Sequence, residues 1–206
     1  MHSAMSFREP TALRPWQPGR SEVVAKGYGK TLVKKDFLNP ANGTTQDFFL
    51  IGQRDWSTIL PITADGKVIA ERQYKQGCNK IYIDLPAGTT NFANEPPQIV
   101  AERELLEETG YQAKEVIFLG PAPWMCSRNS ETRFYPFVAF GCEWVKEARI
   151  DANEEIETVV FSMEEWLLFC QQELEDHSAY VATFRALAHI HRHLPEVNLS
   201  QILGIG

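Results

Sequence analysis

This chain of 206 residues predicts a mixed α+β fold or an α/β/α sandwich. Three features point there. Strand-like runs separated by turn residues fill the first half, one helical run lies centrally, and helical runs close the chain. The length suits one domain with a small additional segment.

Taken in order, residues 1–20 are rich in Pro, Arg and Ser and read as a flexible arm. Residues 21–56 read as a β-rich segment, SEVVAKGYG, KTLVKKDFL and DFFLIG, with NPANGTT as a turn built on Asn42-Gly43. STILPIT (57–63) and KVIAERQY (67–74) flank Ala64-Asp65-Gly66 and predict a hairpin; IYIDLPA (81–87) is a further strand. A helix is expected over 97–109, with Pro96 and Pro97 in its first turn and Gly110 at its stop. VIFLG (116–120) and RFYPFVAFG (133–141) read as strands, and Thr158–Phe161 as a short one. Ser162 with Glu165 three residues on is a capping box, and Ser178–His193 carries helical spacing.

A net charge of −7 argues against nucleic acid or an anionic membrane as partner. The start of the chain has no apolar signal-peptide core, and no window has the length of apolar sequence needed to span a bilayer. Cys78, Cys126, Cys142 and Cys170 form no C-x-x-C pair and match no zinc spacing. The expectation is a cytoplasmic protein with reduced thiols.

The informative stretch is LPAGTTNFANEPPQIVAERELLEETGY, with five glutamates between Glu95 and Glu108. On a helix, Glu104, Glu107 and Glu108 fall at i, i+3 and i+4 and share a face, where like charges repel. Hard dications reverse that cost because they take oxygen ligands. Arg103 can pair with Glu107 one turn on, or with Glu95 across the loop. Taken alone, RELLEE is also an ordinary solvated helix face; its placement after a strand end and a glycine loop argues otherwise.

This stretch resembles the Nudix box, G-x5-E-x7-R-E-U-x-E-E-x-G-U, where U is bulky and apolar. Glu95, Arg103-Glu104-Leu105-Leu106-Glu107-Glu108 and Gly110-Tyr111 match in register; Gly88 is six residues from Glu95 instead of five, the extra one falling in the TTNFAN loop. The resemblance implies a Nudix α/β/α sandwich with a mixed sheet over residues 57–206, preceded by the β-rich segment. KVIAERQYKQG before IDLPAG, and DANEEIETVVFSMEEW near the end, resemble the ADP-ribose pyrophosphatase and nucleoside-diphosphate-sugar group. That group uses its extra N-terminal sheet to dimerise, so a homodimer is implied.

The resemblance assigns Mg2+, with Mn2+ as a substitute, to Glu104, Glu108 and the Ala87 carbonyl, with Glu107 as ligand or helper. Gly88, Glu95, Arg103 and Gly110 become structural members of the box. By the same resemblance the general base comes from the acidic loop, with Glu154 ahead of Glu155. Arg72 and Lys75 are candidates for binding phosphates, Trp56 for stacking on a base, and Arg128 for facing the substrate; each is also readable as an ordinary core or surface residue. The implied activity is hydrolysis of the diphosphate of ADP-ribose or a related nucleoside diphosphate sugar to a nucleoside monophosphate and a sugar phosphate. The group's proline about sixteen residues past the box is absent, the region reading MCSRNS. GDP-mannose, a dinucleotide or an oxidised nucleotide therefore stay open as substrates, as does a nucleotide-sensing module without catalysis.

Overall fold

The computed structural model describes residues 13–92, 94–150 and 155–204. Two compact units are present: residues up to Gln53 together with Cys126–Thr132, and Arg54–Met125 together with Arg133 onward.

In the smaller unit, β1 (Gln17–Gly27), β2 (Lys30–Leu38) and β3 (Thr45–Gly52) form an antiparallel sheet in that order. The strand begins at Gln17, inside the segment read as an arm, because Pro18 and Gly19 do not stop β1 from pairing along β2. The unit boundary falls at Gln53 rather than Trp56, and Cys126–Thr132 joins the sheet: Ile51 N–H donates to the Asn129 carbonyl at 2.8 Å, and Ser130 Oγ donates to the Ile51 carbonyl at 3.1 Å. A loop distant in sequence thus extends the edge of β3, which a reading by local pattern does not foresee.

The larger unit holds one mixed sheet. Its main path is β11 (Ile156–Phe161), β5 (Val68–Lys75), β4 (Trp56–Thr63), β10 (Phe134–Trp144) and β8 (Tyr111–Gln112). Off that path, β6 (Lys80–Asp84) pairs with β5, β7 (Ala87–Thr89) with β4, and β9 (Glu115–Phe118) with β10. The hairpin expected between β4 and β5 closes only at Ile62 opposite Val68. Beyond that pair the strands splay, and β4 instead runs parallel to β10 and antiparallel to β7.

Strand alternation divides the sheet's apolar residues between two faces. Leu60, Ile62, Val68, Ala70, Val138 and Phe140 pack with α2 (Met163–Gln172) and α3 (His177–His193). Ile59, Ile69, Phe137 and Ala139 pack with Ala101 and Leu105 of the central helix. Helices therefore cover both faces, and the α/β/α sandwich read from the sequence is the observed architecture. The capping box forms as expected: Ser162 Oγ accepts from Glu165 N–H at 3.2 Å, and Glu165 Oε2 accepts from Ser162 N–H at 2.7 Å.

Candidate functional site

The box helix differs from the uniform helix that its sequence predicts. α1 (Pro97–Glu104) is α-helical, but Leu105–Thr109 forms a π-helical turn. Buried Thr109 supports that turn, its Oγ1 donating to the Leu105 carbonyl at 2.5 Å. Single π-turns recur at functional sites because they re-aim side chains. Here the carboxylates do not share one stripe. Glu108 is buried, whereas the Glu107 side chain stays 45% exposed beside Arg103. Gly110 ends the helix at φ 77°, where an added Cβ would meet the Lys146 carbonyl at 2.0 Å, so the stop requires glycine.

Glu108 Oε2 accepts the Ala87 N–H at 3.0 Å, which joins the helix to the start of β7. Gly88 follows, and a Cβ there would stand 1.9 Å from Glu104 Oε1. Glu104 thus packs directly over the strand backbone. The sequence reading placed Ala87, Gly88, Glu104 and Glu108 together, and the structure does bring them together.

Arg103 holds the outer rim. Its Nη1 donates to Glu104 Oε1 at 2.7 Å and Glu107 Oε2 at 3.0 Å, Nε to Glu95 Oε1 at 3.4 Å, and Nη2 to the Thr89 carbonyl at 2.9 Å. Both partners offered for Arg103 are therefore used. Glu95 is buried, and its second oxygen accepts the Asn91 N–H at 2.7 Å. The extra loop residue does not keep Glu95 from Arg103.

One residue escaped the sequence reading. Glu71 on β5 is fully buried, two positions past Ile69 and therefore on the face covered by the box helix. It faces Glu108. Burial and the charge of Asp84 push its carboxyl up to about 8. Burial, then Glu71 and Glu104, likewise hold Glu108 well above the ordinary carboxylate range. Gln73 Nε2 reaches Glu71 Oε2 at 3.4 Å, while Glu71 Oε1 is buried without a donor. The missed signal was a lone glutamate at the end of the apolar run Val68-Ile69-Ala70.

Lys75 joins this cluster. Its Nζ pairs with the buried Asp84 at 3.0 Å, and although burial opposes its charge, Asp84, Glu108 and Glu71 keep it above its usual value. Arg72 does not join. It lies on the opposite strand face and pairs with Glu157 across β5 and β11 at 2.8 Å, as an ordinary surface residue. Trp56 stacks on Phe134 with ring centroids 5.1 Å apart, so that ring face serves packing rather than a base. Arg128 belongs to the smaller unit, where it lines a cavity of about 330 Å³ with Trp16, Phe37 and Phe48. Glu155 is exposed just before β11, and Glu154 lies outside the described residues.

These residues fit a hard dication. The donors are all oxygen, one buried carboxylate oxygen has no donor, and the missing Cβ of Gly88 lets the Glu104 carboxylate lie against the strand. Among the described residues no three acidic, His or Cys side chains already converge as ligands; Arg103 bonds Glu104 and Glu107 instead.

Residues 53–184 match the NUDIX domain. The chain belongs to the NUDIX family. With its box carboxylates all present, it is a Nudix pyrophosphohydrolase. The methanol dehydrogenase activator of Bacillus methanolicus is 25% identical over 160 residues, which is 75% of this chain and 82% of that protein. The ADP-ribose pyrophosphatase of Bacillus subtilis (strain 168) is 29% identical over 110 residues, 53% of this chain and 58% of that one. A crystal structure of an ADP compounds hydrolase superposes with a TM-score of 0.77 at 20% identity, over 90% of this chain and 99% of that one, and shows the Nudix fold.

Proposed function

We propose that this Nudix protein hydrolyses the diphosphate of ADP-ribose or a related nucleoside diphosphate sugar, in the presence of Mg2+ or Mn2+, to a nucleoside monophosphate and a sugar phosphate. The observation that carries the reading is the gathering of Glu104 and Glu108 around Ala87 and Gly88 at a strand end. The similarity to the Bacillus subtilis ADP-ribose pyrophosphatase supports the substrate class.

Glu104, Glu108 and the Ala87 carbonyl are the groups that would hold the ion. When bound, Mg2+ neutralises the diphosphate oxygens and lowers the pKa of water beside them. Arg103 sets the orientation of Glu104 and Glu107 through one nitrogen. Lys75 places a positive charge beside the acidic cluster, where it opposes charge left on the phosphates. Glu155, exposed on the acidic loop, and Glu154 are the groups assigned to take the proton from the attacking water.

The unpaired thiols of Cys78, Cys126, Cys142 and Cys170 support a reducing compartment, and we place the protein in the cytoplasm. Among the described residues no helix is long and apolar enough to cross a membrane. The exposed Val23, Val24 and Phe49 of the smaller unit's sheet, with Tyr28 in its β1–β2 turn, support a homodimer, read by light scattering.

The test is a panel of ADP-ribose, nucleoside diphosphate sugars including GDP-mannose, dinucleotides and oxidised nucleotides, with Mg2+ and phosphatase-coupled phosphate release. ADP-ribose or a nucleotide sugar should lead. Preference for a dinucleotide or oxidised nucleotide would move the substrate class, and no turnover of any would favour a sensing module. A second reading, activation of a partner dehydrogenase, draws on the Bacillus methanolicus relative; adding the chain to a methanol dehydrogenase assay separates the two.

A further inference from the structure

We propose that Glu71 of β5 is an additional metal ligand, so that the divalent ion is held between the sheet and the box helix rather than by the box alone. This rests on the hydrolase reading, and it adds a residue outside the box.

The argument starts from burial. A carboxylate costs several kcal/mol to remove from water unless its lone pairs are satisfied. Glu71 has none of its surface exposed, and its Oε1 has no donor. Gln73 reaches only the other oxygen, at 3.4 Å. Lys75, the nearest cation on the same strand face, is committed to Asp84 at 3.0 Å. Asp84 itself stands opposite Glu71 in the strand register, as a second acidic group rather than a counter-charge. Among the described residues, no protein cation is therefore hydrogen-bonded to the Oε1 atom of Glu71.

Placement then supplies the ligand class. The carboxyl faces Glu108, with Glu104 also acting on it. Both belong to the box, and Glu108 is fixed by the Ala87 N–H. Glu71 therefore combines one buried oxygen without a donor with a carboxyl set against two further acids, a donor set suited to positive charge. A compact dication satisfies three acids at once, which one ammonium group cannot do in so small a space. Alternation along β5 makes the position deliberate. Residues 69, 71, 73 and 75 share one face, and apolar Ile69 gives way there to Glu71, Gln73 and Lys75 where the strand passes the helix's π-turn.

The test is Mn2+ binding to the full chain, by isothermal titration and by electron paramagnetic resonance of free Mn2+. Glu71→Gln keeps the shape and removes the charge, Glu71→Asp keeps the charge and withdraws the oxygens, and Glu108→Gln tests the box. Glu108→Gln and Glu71→Gln should each weaken Mn2+ by about tenfold or more, with Glu71→Asp between Gln and wild type. A second measurement uses the unmodified protein: crystals soaked in Mn2+ should show an anomalous peak at bonding distance from a Glu71 oxygen. A peak held by Glu104 and Glu108 with Glu71 out of reach overturns the inference even if the variants bind weakly or fail to fold. If Glu108→Gln loses Mn2+ while Glu71→Gln keeps wild-type affinity, Glu71 is not a ligand and the box reading stands. If wild type binds no Mn2+, both fall together.

Discussion

Gly88 and Glu104 are in such close contact that a methyl group on Gly88 would stand 1.9 Å from the Glu104 carboxylate oxygen and 2.1 Å from its carboxyl carbon. The glycine is therefore required by a side chain lying across it, not by its own backbone angle. It fixes where Glu104 rests relative to Ala87 and Glu108.

Gly88→Ala should accordingly act on the metal site. Glu104 has to swing away, breaking its 2.7 Å bond from Arg103. Displacing a carboxylate in such a shell costs about 10–100-fold in metal affinity or activity. Turnover measured across a Mg2+ titration should fall by that order, with the half-saturating Mg2+ raised. Unchanged Mg2+ dependence would show that Glu104 does not bind the ion.

Glu108→Gln should separate function from stability. The residue is buried, its Oε2 accepts the Ala87 N–H, and it faces the carboxyl of Glu71. Gln retains an oxygen for that N–H while removing one of two mutually repelling acids. The metal-free variant should melt above the metal-free wild type. Its turnover should drop by about two orders of magnitude, since metal charge stabilisation supplies several kcal/mol of the barrier reduction. Calorimetry in EDTA and steady-state kinetics in saturating Mg2+ check the two halves.

Arg103→Lys tests the rim. Arg103 bonds four groups, Glu95, Glu104, Glu107 and the Thr89 carbonyl, through three nitrogens. An ammonium group cannot reproduce that fork. Glu95 would be left buried with only the Asn91 N–H. Breaking a buried pair from one side costs about 3–5 kcal/mol, and the 19% exposure of Arg103 puts the expected loss at the lower end of that range or beneath it. Urea unfolding of the metal-free protein reads it directly; a midpoint equal to wild type would remove Arg103 from the structural role.

Much of this site was legible because its signals are local. Glu95, Arg103, Glu104, Glu108 and Gly110 stand at fixed intervals along one helix and its loop, and intervals survive folding. The capping box at Ser162 was legible for the same reason. What the sequence hid depends on contacts between distant segments. Cys126–Thr132 pairs with β3, and β4 runs beside β10, through register that no short window contains. The π-turn at Leu105–Thr109 was hidden too, since LLEET is a good α-helical sequence and only packing decides its pitch. So was the end of α3, where His193 stacks on Phe140 at 3.9 Å and meets Glu115 at 3.2 Å, partners far away in sequence. Arg72 and Glu71 show the limit most sharply. They are adjacent in sequence, and strand alternation sends the arginine to a surface pair and the glutamate to the site.

The facing carboxyls of Glu71 and Glu108 set the pH response of the metal-free protein. Glu71 moves from an unfolded value of 4.5 up to about 8 on folding, and Glu108 is raised too, by burial first and by Glu71 next. Between those values the folded state binds more protons than the unfolded chain. Stability must then fall as pH rises through that window, because its slope follows the protons bound by the unfolded state minus those bound by the folded state. The contribution is fully present below the unfolded value and is lost as pH passes the folded one. In EDTA, the melting temperature should be lower at pH 8 than at pH 5. Saturating Mg2+ reverses the sign for this pair, since the ion binds the deprotonated form and its benefit grows with pH. Glu108→Gln should flatten the EDTA profile, because it removes one of the two acids. A metal-free melting temperature that rises steadily from pH 5 to pH 8, unaltered in Glu108→Gln, would mean that these carboxyls are not held against each other in solution.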